Sequence, residues 1–118
     1  MSRDHRKLEA FQFADKLVVE IYRTSVHFPQ EERYGLQSQV RRAAVSVPTN
    51  IVEGCARDSQ AEYLRFLEIA FASTRELLYL IDLSNRLGFF KKEETESLTK
   101  QGNSVAGMLA NLRDSISH

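Results

Sequence analysis

Apolar and small residues recur along the chain at spacings of three and four residues, the period of an amphipathic α-helix. The first run of such positions consists of Phe11, Ala14, Val18, Ile21, Ser25 and Phe28. Charged residues fall between these positions, and Pro29 disfavours helical backbone angles at the residue before it. The pattern therefore predicts a first helix over residues 7–27.

A second amphipathic run predicts a helix over residues 33–56, and Pro48 lies inside it. A proline in a helix interior removes one backbone donor and crowds the carbonyl four residues earlier. Because the apolar register continues through the proline, we predict one helix with a kink at Pro48. Two short helices are the alternative.

Polar residues surround this proline, and we predict that they form a structural motif. Ser46 and Asn50 share one helix face and are expected to satisfy the carbonyl that the proline leaves free near residue 44. Glu53 is expected to pair with a neighbouring arginine or a backbone donor, and Gly54 to mark a turn or a close contact between helices. The alternative is that this cluster binds a ligand.

Two further helices complete the pattern. Ser59, with Glu62 three residues later, is typical of a capping box and predicts a helix over residues 59–87. The last run predicts a helix over residues 92–116. Because four long helices with short connections favour a bundle, we expect an all-α, antiparallel up-down-up-down four-helix bundle that forms one domain over residues 1–118.

The predicted third helix carries more apolar surface than one bundle core can cover, because a bundle helix needs roughly three apolar positions in seven. The surplus positions are Ile69, Ala72, Leu80 and Leu83. Contiguous apolar surface indicates contact with another molecule, so we predict that these residues form an oligomer interface. Scattered, singly exposed apolar residues are the alternative.

Composition narrows the functional classes. The chain has 118 residues, and its 16 lysines and arginines balance 16 aspartates and glutamates to a formal charge of zero. This balance excludes a strongly basic module that holds nucleic acid by bulk charge. The single cysteine, Cys55, cannot form an internal disulfide. With no signal-like segment and no apolar run of membrane-spanning length, we expect a cytoplasmic protein that makes no membrane contact.

Candidate chemistry is sparse. None of His5, His27 and His118 follows a glutamate by three residues, and one cysteine is too few for a typical zinc site, so we predict no metal site. No histidine lies near Cys55 in the sequence to activate it as a nucleophile. Glycine-rich loops that cradle phosphates are also missing from the sequence. We therefore expect no cofactor, no catalytic residues and no enzymatic activity.

Basic residues are nevertheless concentrated around the second helix. Arg33, Arg41, Arg42 and Arg57 could form a stripe that contacts RNA or DNA. In an oligomer the stripe would be repeated, and avidity would then exceed the affinity of one copy. The alternative is that Arg41 pairs with an acidic residue across a subunit interface while Arg42 is solvated.

Two segments of the second run carry a resemblance to a known family. Residues 39–43 read Gln-Val-Arg-Arg-Ala, and residues 46–54 read Ser-Val-Pro-Thr-Asn-Ile-Val-Glu-Gly. They resemble the S23 proteins, which are named for open reading frames in intervening sequences of bacterial 23S rRNA genes. The resemblance extends over about residues 8–112. It implies a four-helix bundle that assembles as a homopentamer around a central channel.

The same resemblance implies kinship with the accessory protein of diversity-generating retroelements, a basic pentamer that binds nucleic acid and a reverse transcriptase. This chain differs from that protein in its formal charge of zero. The sequence thus predicts a non-enzymatic, homo-oligomeric scaffold or accessory protein, pentameric by resemblance, with RNA or DNA as its partner. The alternative is a protein-only adaptor that recruits a partner protein through the ring.

Overall fold

Four α-helices make up most of the protein. The computed structural model describes residues 3–117, and Met1, Ser2 and His118, with any prediction made for them, lie outside the described residues. The helices are α1 (Glu9–Thr24), α2 (Leu36–Cys55), α3 (Gln60–Arg86) and α4 (Lys92–Ser117). Residues 3–117 contain no strand, so the predicted all-α class is confirmed for this part of the chain.

The first helix is shorter than predicted at both ends because the flanking residues form tighter turns. Before α1, residues 5–7 form a 3₁₀ turn that is capped by the Asp4 side chain, and Leu8 is extended. After α1, residues 25–27 form a second 3₁₀ turn, and Phe28 is extended ahead of Pro29, as the proline rule requires.

The second helix runs without interruption from Leu36 to Cys55, with Pro48 buried inside it. The alternative of two short helices is therefore not adopted. The kink at Pro48 stays a prediction. In α3, the hydroxyl of Ser59 accepts a hydrogen bond from the Glu62 N–H at 3.1 Å, so the serine half of the predicted capping box is formed.

The helices pack around one apolar core to which all four contribute. Its largest fully buried side chains include Leu17, Ile21, Val40, Ile51, Leu67, Leu77, Ile81, Leu98 and Leu109. At one end, the amide of Gln60 donates to the carbonyl of Ile116 at 2.6 Å, so the start of α3 meets the end of α4. At the other end, Thr95 near the start of α4 donates to Asn85 near the end of α3.

The chain itself covers part of the apolar surface that we predicted to be surplus on α3. Leu80 is 4% exposed and belongs to the core, so the prediction that it forms an oligomer interface is wrong. Because α3 packs more extensively against its two neighbours, α2 and α4, than the other helices pack against theirs, it buries a wider face than a typical bundle helix. Leu83 is partly buried against the core, Ile69 is half-buried and Ala72 is exposed.

The last turn of α2 approaches the first turns of α3 more closely than a side chain would allow. A Cβ atom added to Gly54 would lie 2.9 Å from Phe66 Cβ and 3.3 Å from Tyr63 Cδ1. In real structures a Cβ atom essentially never comes within 3.0 Å of a heavy atom that belongs to a residue elsewhere in the chain. Gly54 is thus the close-contact position that the sequence indicated.

We expect the Gly54→Ala variant to be less stable by about 1–3 kcal/mol, since the added methyl group must push α2 away from α3. The change in the free energy of unfolding is measured by urea denaturation. Gly107→Ala is the matched control: nothing lies within 4 Å of a Cβ atom at that position. The control should be more stable by up to about 1 kcal/mol. Equal effects of the two substitutions would contradict this account of the contact.

Candidate nucleic-acid interface

The polar residues around Pro48 connect α2 to α3. Ser46 Oγ lies 2.8 Å from Ser73 Oγ across the two helices. Asn50 Nδ2 donates to the Ser46 carbonyl at 2.8 Å and to Ser46 Oγ at 3.0 Å, rather than to the carbonyl of residue 44 as predicted. The motif therefore acts as a hydrogen-bonded link between helices. The sequence analysis missed Ser73, although a small polar residue on the flank of an apolar stripe is a usable signal.

Glu53 does not take part in this link. Its side chain is exposed, and no ion pair among residues 3–117 includes it. The predicted pairing of Glu53 with an arginine is therefore wrong for the described part of the chain. Its backbone carbonyl accepts from the Ala56 N–H at 3.2 Å, at the end of α2.

Of the four predicted contact arginines, the structure brings two together. Arg33 and Arg41 both line a surface groove of about 390 Å³ where the segment after α1 meets the start of α2. We call this the arginine groove; its other lining residues are Val26, Phe28, Pro29, Gln30 and Gln37. Arg42 is exposed and lies about 100° around the helix from Arg41. Arg57 lies beyond the other end of α2, two residues after Cys55.

Uncharged groups hold Arg41 in place. Its Nε donates to Ser25 Oγ at 2.8 Å, and its Nη2 donates to the Tyr22 carbonyl at 3.2 Å. The guanidinium carbon lies 4.6 Å from the centre of the Tyr22 ring. Among residues 3–117, no carboxylate forms an ion pair with Arg41. The alternative, in which Arg41 pairs with an acid of another subunit, stays a prediction.

Arg33, on the rim of the groove, is also free of a carboxylate partner within the described chain. Its guanidinium carbon lies 5.8 Å from the centre of the Tyr34 ring. Two carboxylates precede it in the chain: Glu31 is exposed, and Glu32 Oε1 accepts from the Leu36 N–H at 2.9 Å. Glu32 thus caps α2, where the positive end of the helix dipole stabilises its charge.

Arg57 belongs to a separate cluster at the other end of α2. Its guanidinium carbon lies 4.8 Å from the centre of the Phe66 ring, and that of Arg65 lies at the same distance. Arg65 also pairs with Glu62 at 3.2 Å. The side chain of Arg3 donates to the Arg57 carbonyl at 3.3 Å. Arg3 and Arg65 were not predicted. The partner of Arg3 is far away in the sequence, whereas the partners of Arg65 are its near neighbours on α3.

The described residues offer little for catalysis or metal binding. No group of three or more His, Cys, Asp or Glu side chains within residues 3–117 is arranged to hold a metal ion. Cys55 is buried, and burial raises the pKa of its thiol. It is therefore protonated near neutral pH and unreactive, because the thiolate is the nucleophile. None of the helices in this part of the chain is long and apolar enough to cross a bilayer.

Comparison with known proteins identifies the family. The family model described as the 23S rRNA-intervening sequence protein matches residues 6–111. The chain belongs to this family. The resemblance to the S23 proteins is thereby confirmed.

A solved structure supports the fold of this S23 protein. It is a protein of unknown function from the S23 ribosomal protein family of Bacteroides thetaiotaomicron VPI-5482, and it is 21% identical in sequence. The match covers 89% of this chain and 95% of that one, with a TM-score of 0.82. At this level of identity the likeness shows the fold alone. No curated protein matches the chain.

If the polar motif of this S23 protein is structural, Asn50→Leu should lower the free energy of unfolding by about 1–2 kcal/mol. The substitution removes the two hydrogen bonds to Ser46 and leaves the half-buried Ser46 carbonyl and hydroxyl with fewer donors. Urea denaturation measures the change. Thr49→Leu, at the exposed neighbouring position, is the control and should change stability by less than about 0.5 kcal/mol. Unchanged stability of Asn50→Leu with altered ligand binding would favour the functional alternative.

Proposed function

We propose that this S23 protein is a non-enzymatic, homo-oligomeric scaffold or accessory protein of the cytoplasm, and that it binds RNA or DNA. The observation that carries the proposal is the arginine groove, in which Arg33 and Arg41 lie together without a carboxylate partner among the described residues. Guanidinium groups bind phosphate through paired N–H donors, and a phosphodiester backbone supplies such phosphates at regular spacing.

The proposed subunit is an antiparallel up-down-up-down bundle. The bonds between the start of α3 and the end of α4, and between the start of α4 and the end of α3, support opposite directions for these two helices. Gly54 against Phe66 supports the same relation for α2 and α3. We also propose a kink of α2 at Pro48, since the proline ring crowds the preceding turn of the helix.

An exposed apolar stripe on α1 supports self-association. Val19, Tyr22 and Val26 follow one another at spacings of three and four residues, and each is more than 40% exposed. Val45 of α2 is a further exposed apolar residue. We call these four residues the α1 stripe, although Val26 lies in the 3₁₀ turn that follows α1 and Val45 lies on α2. Such a surface is stable in water when another molecule covers it, and a second copy of the chain is the partner we propose.

The residues of α3 that remain from the predicted interface offer a second surface. Ile69 is half-buried, Ala72 is exposed and Leu83 is partly buried. Contact between two different surfaces is heterologous, and it generates a closed ring when the rotation per subunit closes. A ring of five copies is the form that the family resemblance implies, and we propose it here.

The position of the arginine groove suits such a ring. Val26 belongs both to the α1 stripe and to the lining of the groove, so the groove lies at the edge of the proposed subunit contact. Assembly would place several copies of the groove on one particle. Avidity would then compensate for the weak overall attraction between nucleic acid and a chain whose formal charge is zero.

The neutral charge also favours a second candidate function, a protein-only adaptor. In this alternative the ring recruits a partner protein and binds no nucleic acid. The absorbance ratio of the purified native assembly at 260 and 280 nm is a rapid first comparison. Co-purified nucleic acid supports the first function, and its absence favours the adaptor.

We expect the purified protein to bind a fluorescein-labelled RNA of mixed sequence at about 50 mM salt and to bind far more weakly at about 200 mM. Arg33→Gln should reduce affinity and the steepness of this salt dependence, because it removes one phosphate contact per subunit. Fluorescence anisotropy measures both. Arg75→Gln, an exposed arginine on α3, is the control. No binding at the lower salt concentration, or equal loss with both variants, would contradict the proposed site.

For the proposed self-association, we expect Val19→Lys to lower the native mass measured by sedimentation velocity. A charge within the α1 stripe would be buried without a partner in the assembly, whereas in the isolated subunit it would stay in water. Phe13→Lys is the matched control, since Phe13 is 40% exposed on the same helix. It lies nine residues before Tyr22, half a turn around the helix axis. A native protein that sediments as a monomer would end the oligomer proposal.

A further inference from the structure

Tyr34 is an aromatic residue for which the fold provides no packing. It is 89% exposed, the highest value among the exposed large hydrophobic side chains of the described residues. It belongs to the short segment between a third 3₁₀ turn, Gln30–Glu32, and α2, directly after Arg33. An exposed tyrosine ring beside a free guanidinium suggests a ligand that combines a flat ring with an anionic group.

The arginine groove has a second pair of the same kind. Arg41 lies against the half-exposed ring of Tyr22 at 4.6 Å, and Arg33 lies 5.8 Å from the ring of Tyr34. Both arginines line the groove. Its floor includes the buried Phe28. Two cationic groups, each next to an aromatic ring, thus border one shallow depression.

We infer that the arginine groove binds single-stranded RNA or DNA, with a base stacked on Tyr34 and the adjoining phosphates at Arg33 and Arg41. This inference rests on the proposed nucleic-acid function and names the form of the ligand. Aromatic side chains stack on bases of any sequence, and neighbouring cations follow the backbone. The bases of a duplex have their faces covered by their neighbours, so a duplex would leave Tyr34 without a partner.

The geometry favours a nucleic acid over an acidic peptide. Aromatic anchors of protein interfaces are enclosed in well-packed pockets at the centre of the contact. Tyr34 instead lies outside the residues that line the groove, 5.8 Å from the Arg33 guanidinium, with its ring open to solvent. An acidic peptide would need the arginines but not a free ring face. A stacked base uses both.

Two side-chain arrangements prepare the site before any ligand binds. Ser25 Oγ and the Tyr22 carbonyl fix the Arg41 guanidinium. Binding a phosphate there therefore costs little further side-chain entropy. Glu32 is held at the start of α2, where it caps Leu36, and it does not form an ion pair with Arg33. Neither Arg33 nor Arg41 is therefore paired with a carboxylate among the described residues.

The test uses the purified native protein and labelled oligonucleotides of about twelve nucleotides, a length within the range of single-strand sites. The arms are single-stranded RNA, single-stranded DNA and a blunt duplex of the same sequence, at about 50 mM salt. Tyr34→Ala should weaken single-strand binding roughly tenfold and leave duplex binding unchanged. Tyr34→Trp should retain the affinity, because it keeps a stacking ring.

Tyr79→Ala is the control, since Tyr79 is also a largely exposed tyrosine but lies on α3, outside the groove. Thermal unfolding followed by circular dichroism should be the same for both alanine variants, which separates a loss of binding from a loss of fold. The RNA and DNA arms identify which nucleic acid is preferred.

Two results would overturn the inference in different ways. Equal affinity for single strand and duplex, with no effect of Tyr34→Ala, would overturn the single-strand assignment and leave nucleic-acid binding intact. If none of the oligonucleotides binds, both the inference and the proposed nucleic-acid function are wrong. A labelled poly-glutamate peptide that binds in their place, and is released by added salt, would assign the arginine groove to an acidic protein partner.

Discussion

The close contact between α2 and α3 is the constraint on which the rest of the structure depends. Gly54 allows the last turn of α2 to touch the first turns of α3, and the Ser46–Ser73 hydrogen bond joins the same helices further along. Between these points Pro48 is buried in a helix that continues through it. The start of α2 is in turn held to the turn after α1 by hydrogen bonds from Gln37 and Arg41 to Ser25, and this junction forms the arginine groove.

Much of the fold follows from the sequence because apolar spacing and capping residues are local signals. The four amphipathic runs predicted four helices, and Ser59 marked the start of α3. Leu80 was misjudged because apolar spacing does not reveal how extensively a helix packs against its neighbours; α3 makes the most extensive contacts of the four helices and buries more of its surface. The 3₁₀ turns that shorten α1 depend on local caps such as Asp4, which apolar spacing does not register.

The candidate site was less predictable, since it depends on contacts between residues far apart in the sequence. The basic residues around α2 were visible, but a linear pattern could not separate Arg41, which Ser25 and Tyr22 hold, from the exposed Arg42. Tyr34 had no role in an apolar stripe and so attracted no prediction. The role proposed for Tyr34 rests on two quantities that only the folded structure provides: the exposed fraction of its side chain and the distance of its ring from the Arg33 guanidinium.

The cap at the start of α2 has an electrostatic consequence for the chain as a whole. A formal charge of zero suggests a surface on which opposite charges cancel locally. Glu32, however, accepts a hydrogen bond from the backbone N–H of Leu36, so its carboxylate interacts with the positive end of the α2 dipole. The backbone requirement at this helix start therefore decides where the Glu32 carboxylate is held, and the net charge of the chain does not reveal that placement.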